Sequence, residues 1–82
     1  MKINSSLFWG DKMPIYIAPQ GRELLVRKVS ADDKIKKHLH EMGIFEGGKV
    51  TLISSSGGNV IVIVKEGRVC LDKNLASKIM VA

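Results

Sequence analysis

Apolar positions recur along this chain with two different periods. Between Asp32 and Gly43, Ile35, Leu39 and Met42 stand at i, i+4 and i+7, one face of a helix, while Lys36, Lys37, His40 and Glu41 fall on the other faces. Asp32 or Ser30 can serve as N-cap, and the paired Asp32-Asp33 suits the positive end of the helix dipole. The pattern predicts one amphipathic helix over about 32–43. Elsewhere the apolar runs are short and strand-like. Ile15 and Ile17 alternate with Tyr16 and stop at Pro19-Gln20-Gly21. Arg22 to Val29, Val50 to Ile53, Val60 to Val64 and Arg68 to Leu71 follow, each bounded by glycine or polar residues.

Val60-Ile61-Val62-Ile63-Val64 is apolar on both alternating sets, which predicts a strand covered on both faces near the middle of the fold. Ser54 to Asn59 is expected to be the loop of the hairpin before it, with Gly57 and Gly58 supplying positive backbone angles. Asp72 can cap a short C-terminal helical turn carrying Leu75, and Ile79-Met80-Val81 can close the sheet. Five or six short antiparallel strands with one helix and tight glycine turns predict a mainly β fold. A small closed barrel suits such a chain better than a sandwich, because closure removes edges that a tiny sheet cannot protect.

The junction from helix to strand is the most specific stretch. Gly43 stands where a helix needs a left-handed stop, and Ile44 follows in the position that packs back onto the last turn. Glu46-Gly47-Gly48 then reads as a turn, and Val50 opens the next strand. A helix closing in Leu-x-x-Met-Gly-Ile, followed by x-x-Gly-x-x-Val, resembles the ferrous iron transport protein A family, FeoA. The likeness runs from Met13-Pro14-Ile15, through the Gly21 turn before Leu24, Leu25 and Val26, to Leu75-Ala76-Ser77-Lys78-Ile79. The family usually carries proline where this chain has Glu46. Residues 13–82 are thus expected to form the domain, and residues 1–12 an N-terminal arm outside the likeness.

The resemblance implies an SH3-like barrel without enzymatic activity or cofactor, acting by binding the cytoplasmic region of the ferrous iron transporter FeoB, which carries a GTP-binding domain. Two other classes stay open beside it. One is the SH3-like regulatory domain of diphtheria-toxin-repressor-type metalloregulators, disfavoured because this chain shows no helix-turn-helix portion. The other is a small basic barrel that binds nucleic acid.

Composition changes this picture only at the margins. Eighty-two residues, 45% hydrophobic, make one folded domain with a small core. The longest aliphatic run, Val60 to Val64, is far short of the roughly 20 residues of a membrane-spanning helix. The first residues offer no apolar stretch of a signal peptide, so the cytoplasm is the expected location. Thirteen Lys and Arg against eight Asp and Glu give +5, which favours acidic partners. The basic residues are scattered and not interleaved with aromatics as in a single-strand-binding surface, so nucleic acid is not the expected partner.

No catalytic set is legible. Cys70 is the only thiol, placed mid-strand with no signature linking it to His38 or His40, and is expected to be a small buried side chain. Ser56-Gly57-Gly58-Asn59 lacks the lysine of a phosphate loop. His38 lies one helical turn from Met42 and three residues from Glu41, a pairing that ferrous iron could accept, but His40 points elsewhere and Met42 belongs to the apolar stripe. No metal site is therefore expected. Phe45 is the strongest contact candidate, a large aromatic on a short connection beside a rigid turn. Lys36 and Lys37 offer a basic helix face toward an acidic surface. Of the adjacent Leu24 and Leu25, one must face outward.

Overall fold

A computed structural model describes residues 12–65 and 67–82, so the expected arm lies almost wholly outside the described residues. In chain order come β1 (Met13–Pro14), a 3-10 turn (Ile15–Ile17), β2 (Glu23–Val29), α1 (Asp33–Glu41), β3 (Lys49–Ser56), β4 (Asn59–Val64), β5 (Gly67–Leu71), α2 (Lys73–Ala76) and β6 (Ile79–Val81). The strands form one antiparallel sheet in the order β1-β6-β2-β3-β4-β5. Every strand beyond β1 sends side chains to one common core, which holds Leu24, Val50, Val62, Leu71 and Ile79 beside Leu39 and Ile44. A sheet that packs one face into a single cluster of this size has to curl around it.

Strand β2 links the two halves. Its first residues pair with β3 and its last with β6. An irregularity at Arg27 shifts the register, so Arg27 and Lys28 both face outward and Val29 returns to the core. Without that extra residue, alternation would have turned Lys28 inward. Leu24 is the buried member of its pair at 3% exposure, and Leu25 the outer one at 37%.

Helix α1 starts as its sequence predicts, with Asp32 rather than Ser30 as N-cap. The Ile35 N–H donates to the Asp32 Oδ1 at 2.9 Å. Asp72 caps α2 in the same way, through the Leu75 N–H at 2.9 Å. Leu39 is fully buried, and Ile35 and Met42 pack half-buried against the core.

Four expectations need correction. Ile15 to Ile17 is a 3-10 turn and not a strand: the Ala18 N–H donates to the Ile15 carbonyl at 3.1 Å, and Ile15 sits in the core while Ile17 is exposed. The six-residue loop after β3 contracts to Gly57-Gly58, both with positive φ, because Ser54 to Ser56 continue the ladder with β4. Strand β4 is covered on one face only, burying Val60, Val62 and Val64 and leaving Ile63 41% exposed. Cys70 belongs to the outward set of β5, across from Ile61, and is exposed.

Candidate docking surface

The surface around Phe45 is set by the way α1 ends. The Gly43 N–H donates to the His40 carbonyl and the Ile44 N–H to the Leu39 carbonyl, each at 2.9 Å, the paired bonds of a Schellman stop. Gly43 has φ +95°, a conformation an L-residue adopts only with strain. Ile44 leaves this stop pointing into the core, which directs Phe45 outward at 40% exposure.

The connection that carries Phe45 is tied down. The Gly48 N–H donates to the Phe45 carbonyl at 2.9 Å, closing a turn whose third residue, Gly47, has φ +91°. The turn is bonded to β2 on both sides, Gly47 N–H to the Val26 carbonyl and Val26 N–H to the Gly48 carbonyl. A turn with positive φ at its third residue favours proline at its second. Glu46 stands there instead, and its Oε2 accepts the Val29 N–H at 3.0 Å, adding a side-chain tie where proline would add stiffness.

The Phe45 ring is itself held. It stacks on the His40 imidazole with centroids 4.8 Å apart and planes inclined by 24°. It also lies over Gly48, where an added Cβ would come within 2.9 Å of the ring. An aromatic with one face packed and its edge open to solvent has little rotamer freedom left to lose on contact, which suits a binding anchor.

On the helix side, Lys36, His40 and Phe45 line a shallow depression, which continues along Lys37 and Glu41. The three sequence-derived contact candidates, Phe45, Lys36 and Lys37, therefore share one strip. On the sheet side, an open groove of about 670 Å³ runs from Phe45 to Ile63, with Lys49, Thr51 and Lys65 along it. Sequence reasoning missed Ile63 and Lys65. Their signal lies in the hairpin register, which becomes readable only once the turn is placed at Gly57-Gly58 and the irregularity at Ile53 is counted.

Gly43, Ile44, Gly47 and Val50 act structurally, as stop, core anchor, turn residue and first buried residue of β3. Among the described residues no three His, Cys, Asp or Glu side chains are grouped so as to share a metal ion. His40 is engaged with Phe45, while His38 is exposed on the helix. No described helix is long and apolar enough to cross a membrane.

Comparison with known proteins adds the following. A family model described as the FeoA domain matches residues 13–82. A relative from Methanocaldococcus jannaschii, assigned as Fe(2+) transport protein A, is 35% identical over 68 residues, 83% of each chain. Among solved structures, an iron uptake regulatory protein (FeoA) superposes with a TM-score of 0.76 at 22% identity, covering 87% of this chain and 96% of that one. A FeoA-like protein from Clostridium acetobutylicum gives 0.70 at 15% identity, covering 87% and 85%. A manganese-dependent transcriptional repressor gives 0.71 at 20% identity, covering 87% of this chain but 36% of its own length. These structural likenesses establish a shared fold.

Proposed function

The chain belongs to the FeoA domain family, and on that premise we propose that it is a non-enzymatic accessory protein of ferrous iron uptake, acting by binding the cytoplasmic region of a FeoB-like membrane transporter. The docking surface in this reading is the strip of Phe45, Lys36 and Lys37. The observation that carries it is Phe45, a large aromatic left 40% exposed on a connection bonded at both ends. In this reading the chain acts through contacts, with Phe45 as a prebuilt anchor. Such contacts bias a partner's conformation or assembly by their differential affinity for its states, typically a few kcal/mol.

The likeness to the manganese-dependent repressor is one of fold and adds no reading of DNA or manganese binding to this chain. The scattered basic residues give the surface a positive field toward an acidic partner, which raises the rate of encounter more than the final affinity.

Isothermal titration of the chain against the transporter's soluble cytoplasmic portion tests the reading. Truncating one aromatic anchor commonly costs about 2 kcal/mol, so Phe45→Ala is expected to weaken binding by more than about tenfold. Circular dichroism serves as the folding control. Equal affinity of both variants would remove Phe45 from the contact, and no binding by the wild type would remove docking to that portion.

A further inference from the structure

The sheet side of Phe45 has features that neither the fold nor the helix strip uses. On the outer face of the sheet, Glu23, Thr51, Ile63 and Arg68 lie side by side across four strands by register. At the near end of this row Lys49 opens β3 with Leu25 as its register partner, and Lys65 directly follows the last residue of β4, so that both lysines line the groove. Among the described residues one carboxylate, Glu23, offsets them, 3.6 Å from Lys49, and both of those side chains are about two-thirds exposed. Lys65 has no ion-pair partner among the described residues. Beside these cations the groove has an apolar floor, Ile63 and Phe45, on a face that a small sheet ordinarily keeps polar. An apolar floor left open among cations breaks the polar-outside pattern, and such a break marks a site better explained by a ligand than by folding.

We propose that the groove between Phe45 and Ile63 receives a short acidic segment of the transporter's cytoplasmic region, one apolar side chain entering beside Phe45 and carboxylates lying against Lys49 and Lys65. The inference rests on the docking reading above and extends it from the helix strip onto the sheet. The chemistry selects this occupant. A nucleic-acid backbone would use the cations and leave the apolar floor uncovered. A second copy of this chain would bring like charge to like charge, because its own groove is basic. An acidic segment with an apolar anchor covers Ile63 and Phe45, sets its carboxylates against Lys49 and Lys65, and displaces at most one weak exposed ion pair.

Amide spectra of the isotope-labelled chain, titrated with two probes, test this. One probe is the unlabelled cytoplasmic portion of the transporter. The other is a synthetic nonapeptide with a central leucine flanked by glutamates, beside a lysine-flanked control. Signals of Phe45, Lys49, Thr51, Ile63 and Lys65 are expected to shift or broaden with the first probe and with the acidic peptide, and to stay in place with the control. Lys65→Glu should weaken both interactions by about fivefold or more. Lys73→Glu, the same charge change at the start of α2 beside Asn59, the far end of β4, should alter them less than twofold. The Lys65 effect should shrink as salt is raised. Changes confined to Phe45 and the α1 residues 36–41, with Lys65→Glu binding like wild type, would overturn the groove while leaving transporter docking intact. Groove shifts with the acidic peptide but none with the transporter portion would keep an acidic-segment groove and remove the transporter as its source. Silence with both probes, or equal binding of the lysine-flanked peptide, would overturn the proposal outright.

Discussion

Replacing Gly43 by valine probes the stop on which the position of Phe45 depends. At φ +95° a β-carbon crowds the carbonyl group of the preceding residue, which costs an L-residue about 1–2 kcal/mol, and branching at Cβ adds to that. The chain could escape the strain only by turning φ negative. That would break the Gly43–His40 and Ile44–Leu39 bonds, about 1 kcal/mol each, and pull the buried Ile44 from the core, which costs more. Strain is the cheaper outcome, so a loss of about 2 kcal/mol is expected. For a domain of this size that lowers Tm by about 10 °C. Thermal unfolding followed by circular dichroism measures it, and a synthetic chain carrying D-alanine at position 43 separates backbone from packing. D-alanine favours positive φ and should match or exceed the wild-type Tm, while L-alanine falls below it. An unchanged Tm for Gly43→Val, or D-alanine as harmful as L-alanine, would refute the reasoning.

Two further outcomes follow from single residues. Glu46→Ala leaves the partly buried Val29 N–H without its acceptor and should cost about 1 kcal/mol in chemical denaturation, most of it recovered in Glu46→Gln, which keeps a carbonyl oxygen; an alanine variant as stable as wild type would contradict the tie. Cys70 is exposed, so a thiol-reactive dye should label the folded chain at nearly the rate seen in denaturant, and a delay of about tenfold would contradict its outward placement.

The parts of the fold legible in the sequence are those with local causes. The 3.6 period of Ile35, Leu39 and Met42, the cap at Asp32 and the stop at Gly43 each act within one helical turn, and they place α1 and direct Ile44 inward. Phe45 as an outward aromatic follows from that stop. What escaped depends on partners distant in the chain. The alternation of Ile15, Tyr16 and Ile17 is strand-like, yet β6 pairs with Met13 and Pro14 and leaves these three residues to curl, with the Tyr16 carbonyl accepting the Ser55 hydroxyl. Ser54 to Ser56 have poor strand propensity and still pair, because the Gly57-Gly58 turn brings β4 against them. Val60 to Val64 cannot declare from composition which of its two apolar sets has a covering layer. The meeting of Ile63, Lys49 and Lys65 on one groove depends on the pairing of β3 with β4, and so is absent from a reading along one strand.

The central claim is that this chain works by binding a FeoB-like transporter through Phe45. Its most direct measurement is recovery of the tagged chain, wild type and Phe45→Ala, from detergent-solubilised membranes of cells that produce the transporter, with the amount of transporter retained on each read by quantitative mass spectrometry. The expected result is transporter retained with the wild type and reduced by about tenfold with Phe45→Ala, both chains being equally folded. Transporter absent from the wild-type sample, or present in equal amounts in both, would contradict the claim.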